Sequence, residues 1–434
     1  LKMSPFRSLT ADYSLNVDRD LRNGFAFSQL QFGRETSRTQ NVNFRYAPRI
    51  SRWITINPSY SANYTERFET GGQRVEYGNV RRGLTVTNAT TSQARINFNL
   101  PSLFQPWARK TSLVKWIGKA GSQLQNVTSS VSRNKSFNLF GLTKRPSLAY
   151  QFGFKDTIDV PALDIATGTR ANTQTVRSQA QASSGIRLPL GLQFSTSANF
   201  SESEQIGNTR SKDDQVTFPK FDANWRGLER VPLMGYIWIS SNATFGYQES
   251  HTRRGDGGLD IRSITSNAKE TAYNPLFQWT ARWKGDINTS LSGRKSQTND
   301  IRYQRNVTAD TASVQPSLAD RLIGTTLTET GSLQADLRYS LRGRFQRSLE
   351  LNLTFSRSNN TQTELPRTAA TDTTAAPIVR QNSTTWSMSL GTQYAFSSRF
   401  TGGTNFRHER RKDRVRDLTN VTWDFRFWGE IGFQ

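Results

Sequence analysis

From one end of the chain to the other, apolar and polar residues alternate with a period of two. The last segment shows it most clearly. Val421, Trp423, Phe425, Phe427, Gly429, Ile431 and Phe433 share one parity. Thr422, Asp424, Arg426, Glu430 and Gly432 share the other, with Trp428 the one large apolar intruder. Side chains alternate faces along a β-strand, so this segment has an aromatic face and a charged face. About sixteen such segments, each long enough to cross a bilayer when tilted, predict an all-β fold, an antiparallel transmembrane β-barrel or part of a larger one.

The bulk composition reads differently until the alternation is taken into account. A mean hydropathy of −0.65 and 34% hydrophobic residues look soluble or disordered. Yet 26 Phe, 12 Tyr and 10 Trp are far too many for a disordered chain. No run approaches the ~20 apolar residues of a membrane helix. A barrel reconciles these, because lipid meets only every second residue. The absence of Cys excludes disulfides and thiolate metal sites and suits export through an oxidising periplasm. The chain starts at Leu1 without a leader-like segment and reads as a mature or truncated chain of the bacterial outer membrane. The net charge of +23 reads as lumen and loop arginines, or as attraction for anionic partners such as lipopolysaccharide.

Five tight hairpins repeat one plan. Their turns are Ala47-Pro48-Arg49, Pro189-Leu190-Gly191, Lys284-Gly285-Asp286, Arg342-Gly343-Arg344 and Ser397-Ser398-Arg399, each between alternating segments. Longer polar stretches lie between the hairpins, at 18–37, 65–82, 201–214, 250–270, 298–325 and 359–382. Short turns on one side and long loops on the other is the outer-membrane arrangement.

Parity also assigns an interior. Arg45, Arg95, Arg187, Arg226, Arg282, Arg338 and Arg426 each lie opposite their apolar neighbours, as do Asp12, Asp222, Asp336, Glu350, Asp424 and Glu430. At the middle of the lipid face an Arg costs about 2–4 kcal/mol, so these residues are expected to face a wet lumen. They read either as solvated wall residues or as a bias towards anions.

The whole of 1–434 reads as one barrel domain, with an insertion or plug-like segment around 101–146. Within it, at 107–124, Leu113, Trp116, Ile117, Ala120 and Leu124 recur at helical spacing beside Lys110, Lys115 and Lys119. This is a short amphipathic helix, a lumen plug, or an insertion with one fortuitous helical turn.

Little points to chemistry. The two His residues, His251 and His408, fall in or beside expected loops without metal-ligand spacing. Gly255-Asp256-Gly257-Gly258 with Asp260 fits no full calcium-loop pattern. No phosphate-binding or dinucleotide fingerprint is present, so neither catalysis nor a cofactor is expected. Basic and aromatic residues occupy opposite faces, which argues against nucleic acid.

Several stretches carry a family resemblance. They are Pro5–Ala11 with Val17–Leu21, Ser136–Leu142, Arg145-Pro146-Ser147-Leu148-Ala149-Tyr150-Gln151-Phe152-Gly153-Phe154, and Asn274–Lys284. Together they resemble the SprA/Sov family, the outer-membrane translocons of type 9 secretion and gliding motility. The resemblance implies a very large barrel with a wide, non-catalytic protein-conducting pore, gated by plug and partner proteins. This chain would be its C-terminal portion, and its strands need not close on themselves. Trp423, Phe425, Phe427 and Phe433 also resemble the terminal-strand signal read by the barrel-assembly machinery, although Gln434 follows the last aromatic. The expected partners are therefore outer-membrane lipid and lipopolysaccharide, that machinery, secreted proteins, and plug or gating subunits. The alternative is a free-standing porin for small anionic solutes.

Overall fold

The computed structural model describes residues 2–6, 8–20, 34–48, 50–68, 84–108, 121–142, 144–156, 158, 172–207, 209–231, 234–259, 263–304, 322–341, 349–366, 376–397 and 399–431. Seventeen strands form one antiparallel sheet. In chain order they are β1 (Lys2–Phe6), β2 (Leu9–Asp20), β3 (Arg34–Tyr46), β4 (Ile54–Phe68), β5 (Leu84–Phe98) and β6 (Val127–Leu142). Next come β7 (Thr173–Arg187), β8 (Leu192–Ile206), β9 (Arg210–Arg226), β10 (Trp238–Asp256), β11 (Ile264–Trp283) and β12 (Ile287–Tyr303). The series ends with β13 (Leu322–Leu341), β14 (Leu349–Pro366), β15 (Ile378–Ala395), β16 (Phe400–Asp413) and β17 (Leu418–Ile431).

Residue-by-residue register joins each strand to its sequence neighbour. No register joins β17 to β1 or β2 among the described residues. The register keeps the apolar parity on one face. One row runs Trp279, Leu291, Ala335, Phe355, Met388, His408, Trp423 across β11 to β17. Many of these large apolar side chains are solvent-accessible, including Phe355, Met388, Phe425 and Phe427. With every inner strand paired on both sides, the backbone is satisfied within the sheet and the apolar face is free to meet lipid. The architecture is that of an outer-membrane β-barrel wall.

The tight turns follow local chemistry. Leu190 and Gly191, at φ 61° and 79°, turn β7 into β8. Gly191 has no alternative, since a Cβ there would sit 2.0 Å from the Arg226 carbonyl oxygen. Gly285 and Asp286, at φ 95° and 63°, do the same between β11 and β12. The turn Arg342-Gly343-Arg344 lies outside the described residues.

Several expected loops are strand instead. The stretch 201–214 is mostly β8 and β9, and the described parts of 250–270, 298–325 and 359–382 are largely strand, in strands of 17 to 20 residues, while 305–321 and 367–375 lie outside the described residues. A bilayer needs only about 9–11 tilted residues. Beyond it the ladder continues, because backbone hydrogen bonds hold whatever the side-chain polarity. Polarity marks where the membrane ends rather than where the strand ends. Both His residues are accordingly in strands, His251 on β10 and His408 on β16.

The expected insertion at 101–146 is also smaller, since Val127–Leu142 within it is β6. Helix α1 (Leu100–Ala108) begins it. Leu113, Trp116, Ile117 and Ala120 lie outside the described residues, and Leu124 bridges to Ile186 as an extension of the β6–β7 ladder.

Candidate functional site: the polar face and its short-turn end

The odd-numbered strands from β3 onward run towards the short-turn end, and each predicted arginine falls near the end of such a strand. Arg187 and Arg226 are the last residues of β7 and β9, Arg45 and Arg282 the last but one of β3 and β11. Arg95, Arg338 and Arg426 follow within six residues of the ends of β5, β13 and β17. The carboxylates Asp222, Asp336, Glu350 and Glu430 lie in the same half of their strands, and Asp424 at the middle of β17. By register all are on the parity opposite the apolar rows, as in the pairs Arg282 with Asn288, Asn288 with Arg338, and Ser290 with Asp336. Parity in the sequence carries the face but not the height along the strand. The height is fixed by the register and the turns.

Four of the arginines meet. A cavity of about 1030 Å³ is lined by Arg187, Arg226, Arg230, Arg282 and Arg338, with Glu229 and Asp336 the acidic members. Laid flat, β7 and β13 would be about 29 Å apart at 4.8 Å per strand. Residues of both bound this one cavity, so the sheet curls around its polar face. Arg45, Arg95 and Arg426 are not among its lining residues.

The carboxylates in the cavity are already engaged. Asp336 accepts from Ser290 Oγ at 2.8 Å and from Gln334 Nε2 at 3.0 Å. Glu229 accepts from the Ser241 amide at 3.0 Å and its hydroxyl at 3.1 Å. Burial pushes the Glu229 carboxyl up, but hydrogen bonds from its own backbone amide and from Ser241 outweigh this and hold it below its ordinary value. Arg282 reaches Asp286 at 3.5 Å in the adjoining turn. Arg187, Arg226 and Arg338 make no ion pair with a described residue. On β17, Arg426 and Asp424 pair with each other at 2.7 Å.

A second assembly was invisible to parity. The stretch Arg145–Asp156, which contains helix α2 (Leu148–Gln151), lies on the apolar-parity face of β2 to β6. There Tyr150 is buried with Tyr64, Leu84, Val86 and Leu142. Gln40 Nε2 donates to Gln151 Oε1 at 2.8 Å, and Gln151 Nε2 donates to the Pro146 carbonyl at 2.7 Å. Asn88 donates to the Tyr150 carbonyl, and the Tyr60 hydroxyl to that of Phe152. Tyr60 stacks on Phe154 with centroids 5.8 Å apart, and Tyr13 meets Phe152 edge-on at 6.2 Å. Arg145 pairs with the fully buried Glu66 and reaches Glu35 at 3.0 Å. The bond to Glu66 raises the Arg145 pKa, partly offset by burial and helped by Glu35. Burial raises that of Tyr150, with Asp156 adding to it. Gln40, Glu66, Asn88 and Thr90 on an otherwise apolar face were the available signal for this cover.

On β17, Trp423 lies over His408 with centroids 3.8 Å apart, and His408 meets Trp386 at 4.7 Å. Phe425 and Phe427 are edge-to-face at 4.8 Å, and both are more than half exposed. Phe433 and Asp260 lie outside the described residues. No cluster of three metal-ligating side chains occurs among the described residues.

No family model matches the sequence, and no curated protein matches it. Among solved structures the chain is similar to the alcaligin outer-membrane receptor FauA of Bordetella pertussis, at 9% identity and TM-score 0.38 over 98% of this chain and 66% of that one. It is similar to the siderophore receptor PirA of Pseudomonas aeruginosa at 8% identity and TM-score 0.33, over 98% and 74%. It is also similar to the Serratia marcescens hemophore receptor HasR, solved with its hemophore HasA and heme, at 11% identity and TM-score 0.39, over 95% and 56%. The chain thus spans less than two thirds of the length of FauA and HasR.

Proposed function

We propose that this chain forms part of the wall of a hydrated protein-secretion channel in the outer membrane, of the kind used in type 9 secretion and gliding motility by the SprA/Sov translocons it resembles. One observation carries the reading. Seventeen consecutive antiparallel strands curl around a charged, arginine-bearing face and carry an apolar face on the other side. A charged inner face against an apolar outer one is what the wall of a water-filled channel requires. The channel works without catalysis: substrates pass along the arginine-bearing face, while plug and gating subunits control access. The aromatics of β17 serve recognition by the barrel-assembly machinery, and lipid and lipopolysaccharide surround the apolar face.

The test is secretion by cells in which this segment is replaced within its full reading frame. Loss of export with the protein still in the outer membrane is expected. Undiminished export by a strain lacking β10–β17 sinks the proposal. The unpaired arginines in the cavity favour a second reading, a porin for small anions. That reading fails if the purified chain gives no stable anion-selective conductance in planar bilayers.

A further inference from the structure

The charges of this sheet are distributed unequally between its two ends. At the long-loop end basic residues are neutralised across strands, as in Lys212 with Glu202, Arg253 with Asp214 and Lys269 with Glu249. At the short-turn end the cavity holds five arginines against two carboxylates, and both carboxylates already accept hydrogen bonds from neutral neighbours. Arg187, Arg226, Arg282 and Arg338 stand on alternate strands, about 9–10 Å apart along the sheet if it were flat. A single phosphate-sized anion cannot span that row. An extended chain can, because a polyproline-type conformation returns to the same side every ~9.3 Å.

The cavity also offers a means of holding a backbone. Asn242 lines it, and its Oδ1 is buried without a hydrogen-bond partner. Neighbouring Asn224 Oδ1 and Thr244 Oγ1 are in the same condition. Acceptors of this kind suit peptide N–H groups. The nearby aromatics Trp225, Trp279 and Trp283 are on the opposite parity, so the cavity has no surface on which nucleic-acid bases could stack.

We propose that this cavity binds an acidic peptide segment in extended conformation, its carboxylates on Arg187, Arg226 and Arg338 and its amides on Asn242. Bidentate arginine–carboxylate pairs supply the affinity. The binding itself stands on the cavity alone; only the origin of the peptide, as a passing substrate or a plug at the channel mouth, rests on the secretion reading.

The test uses the full-length protein in detergent micelles and a fluorescent hexaglutamate peptide at low salt. The combined variant Arg187→Gln, Arg226→Gln and Arg338→Gln is expected to weaken binding by at least about 30-fold. A charge-matched variant at the other end, Arg254→Gln, Arg302→Gln and Arg411→Gln, near the ends of β10, β12 and β16, is expected to change it by less than about twofold. Heat-modifiable gel mobility verifies that both fold. Equal losses in the two variants, or no loss in the first, overturn the proposal. So does preferential displacement of the peptide by short-chain polyphosphate, which would make the cavity a phosphate-polymer site. Export that fails while peptide binding persists bears on the channel; binding that fails while export persists bears on this site.

Discussion

Removing Arg145 isolates the force that holds Arg145–Asp156 on the sheet. Glu66 beneath it has no side-chain exposure, while Arg145 retains 35% of its own. In Arg145→Met the Glu66 carboxylate keeps the Tyr64 hydroxyl, which donates at 2.7 Å, but loses its cation. Breaking a buried ion pair costs about 3–5 kcal/mol. Partial exposure of the guanidinium reduces this to about 2–3 kcal/mol. At tenfold per 1.4 kcal/mol, opening of the segment should rise about 30- to 150-fold. Four amides report it: those of Gln151, Phe152, Gly153 and Phe154 donate to Ser147, Leu148, Tyr150 and Ala149 at 2.8–3.0 Å. Hydrogen exchange should accelerate at these four and remain unchanged in β12 and β13. Adding Glu66→Gln to Arg145→Met should recover part of the loss, because the buried charge is then gone. Unchanged protection at the four amides would refute the assignment of Arg145 as the anchor, and equal acceleration throughout the sheet would refute a local role.

Further outcomes are expected elsewhere. Gly153→Ala should open the same segment, since φ is +72° and a Cβ would lie 2.1 Å from Thr90 Cγ2; exchange at the same amides tests it. Phe425→Ala with Phe427→Ala should reduce the amount of protein assembled in the outer membrane, measured by membrane fractionation, and unchanged insertion would remove the role given to β17. Glu229 is a depressed carboxyl, so its contribution to the β9–β10 turn is present above the ordinary value of 4.5 and is lost as pH falls through its lower folded value. Exchange of the Arg230 and Val231 amides, which donate to Gly227 and Leu228, should therefore quicken at low pH, and Ser241→Ala should move that transition upward. Leu190→Gly should raise stability by about 0.5–1 kcal/mol, because a left-handed L-residue costs about 1–2 kcal/mol and glycine returns part of that as chain entropy; denaturant midpoints measure it.

The alternation of Trp423, Phe425 and Phe427 against Asp424 and Arg426 made the sheet legible, because a period of two translates directly into faces. Strand ends were not legible in the same way. At 201–214 and 250–270 the polar residues suggested loops, but strand pairing outlasts the apolar band. The lumen arginines were assigned to a face one strand at a time. Their gathering at one end depends on registers such as Asn288 with Arg338, which alternation within a single strand does not encode. The cover over β2 to β6 was hidden for another reason. Arg145–Phe154 has neither helical nor strand period, and its partners Gln40, Glu66 and Asn88 come from three distant strands.

That cover has a mechanical consequence. Gln151 is tied to β3 through Gln40, the Tyr150 carbonyl to β5 through Asn88, and the Phe152 carbonyl to β4 through Tyr60. The segment therefore acts as a brace tied to three adjacent strands. Sliding β4 against β3 or β5 would break the ladder and these side-chain ties together. Load applied along this part of the wall is then carried by a plate of strands moving as one body, rather than by each strand pair in turn.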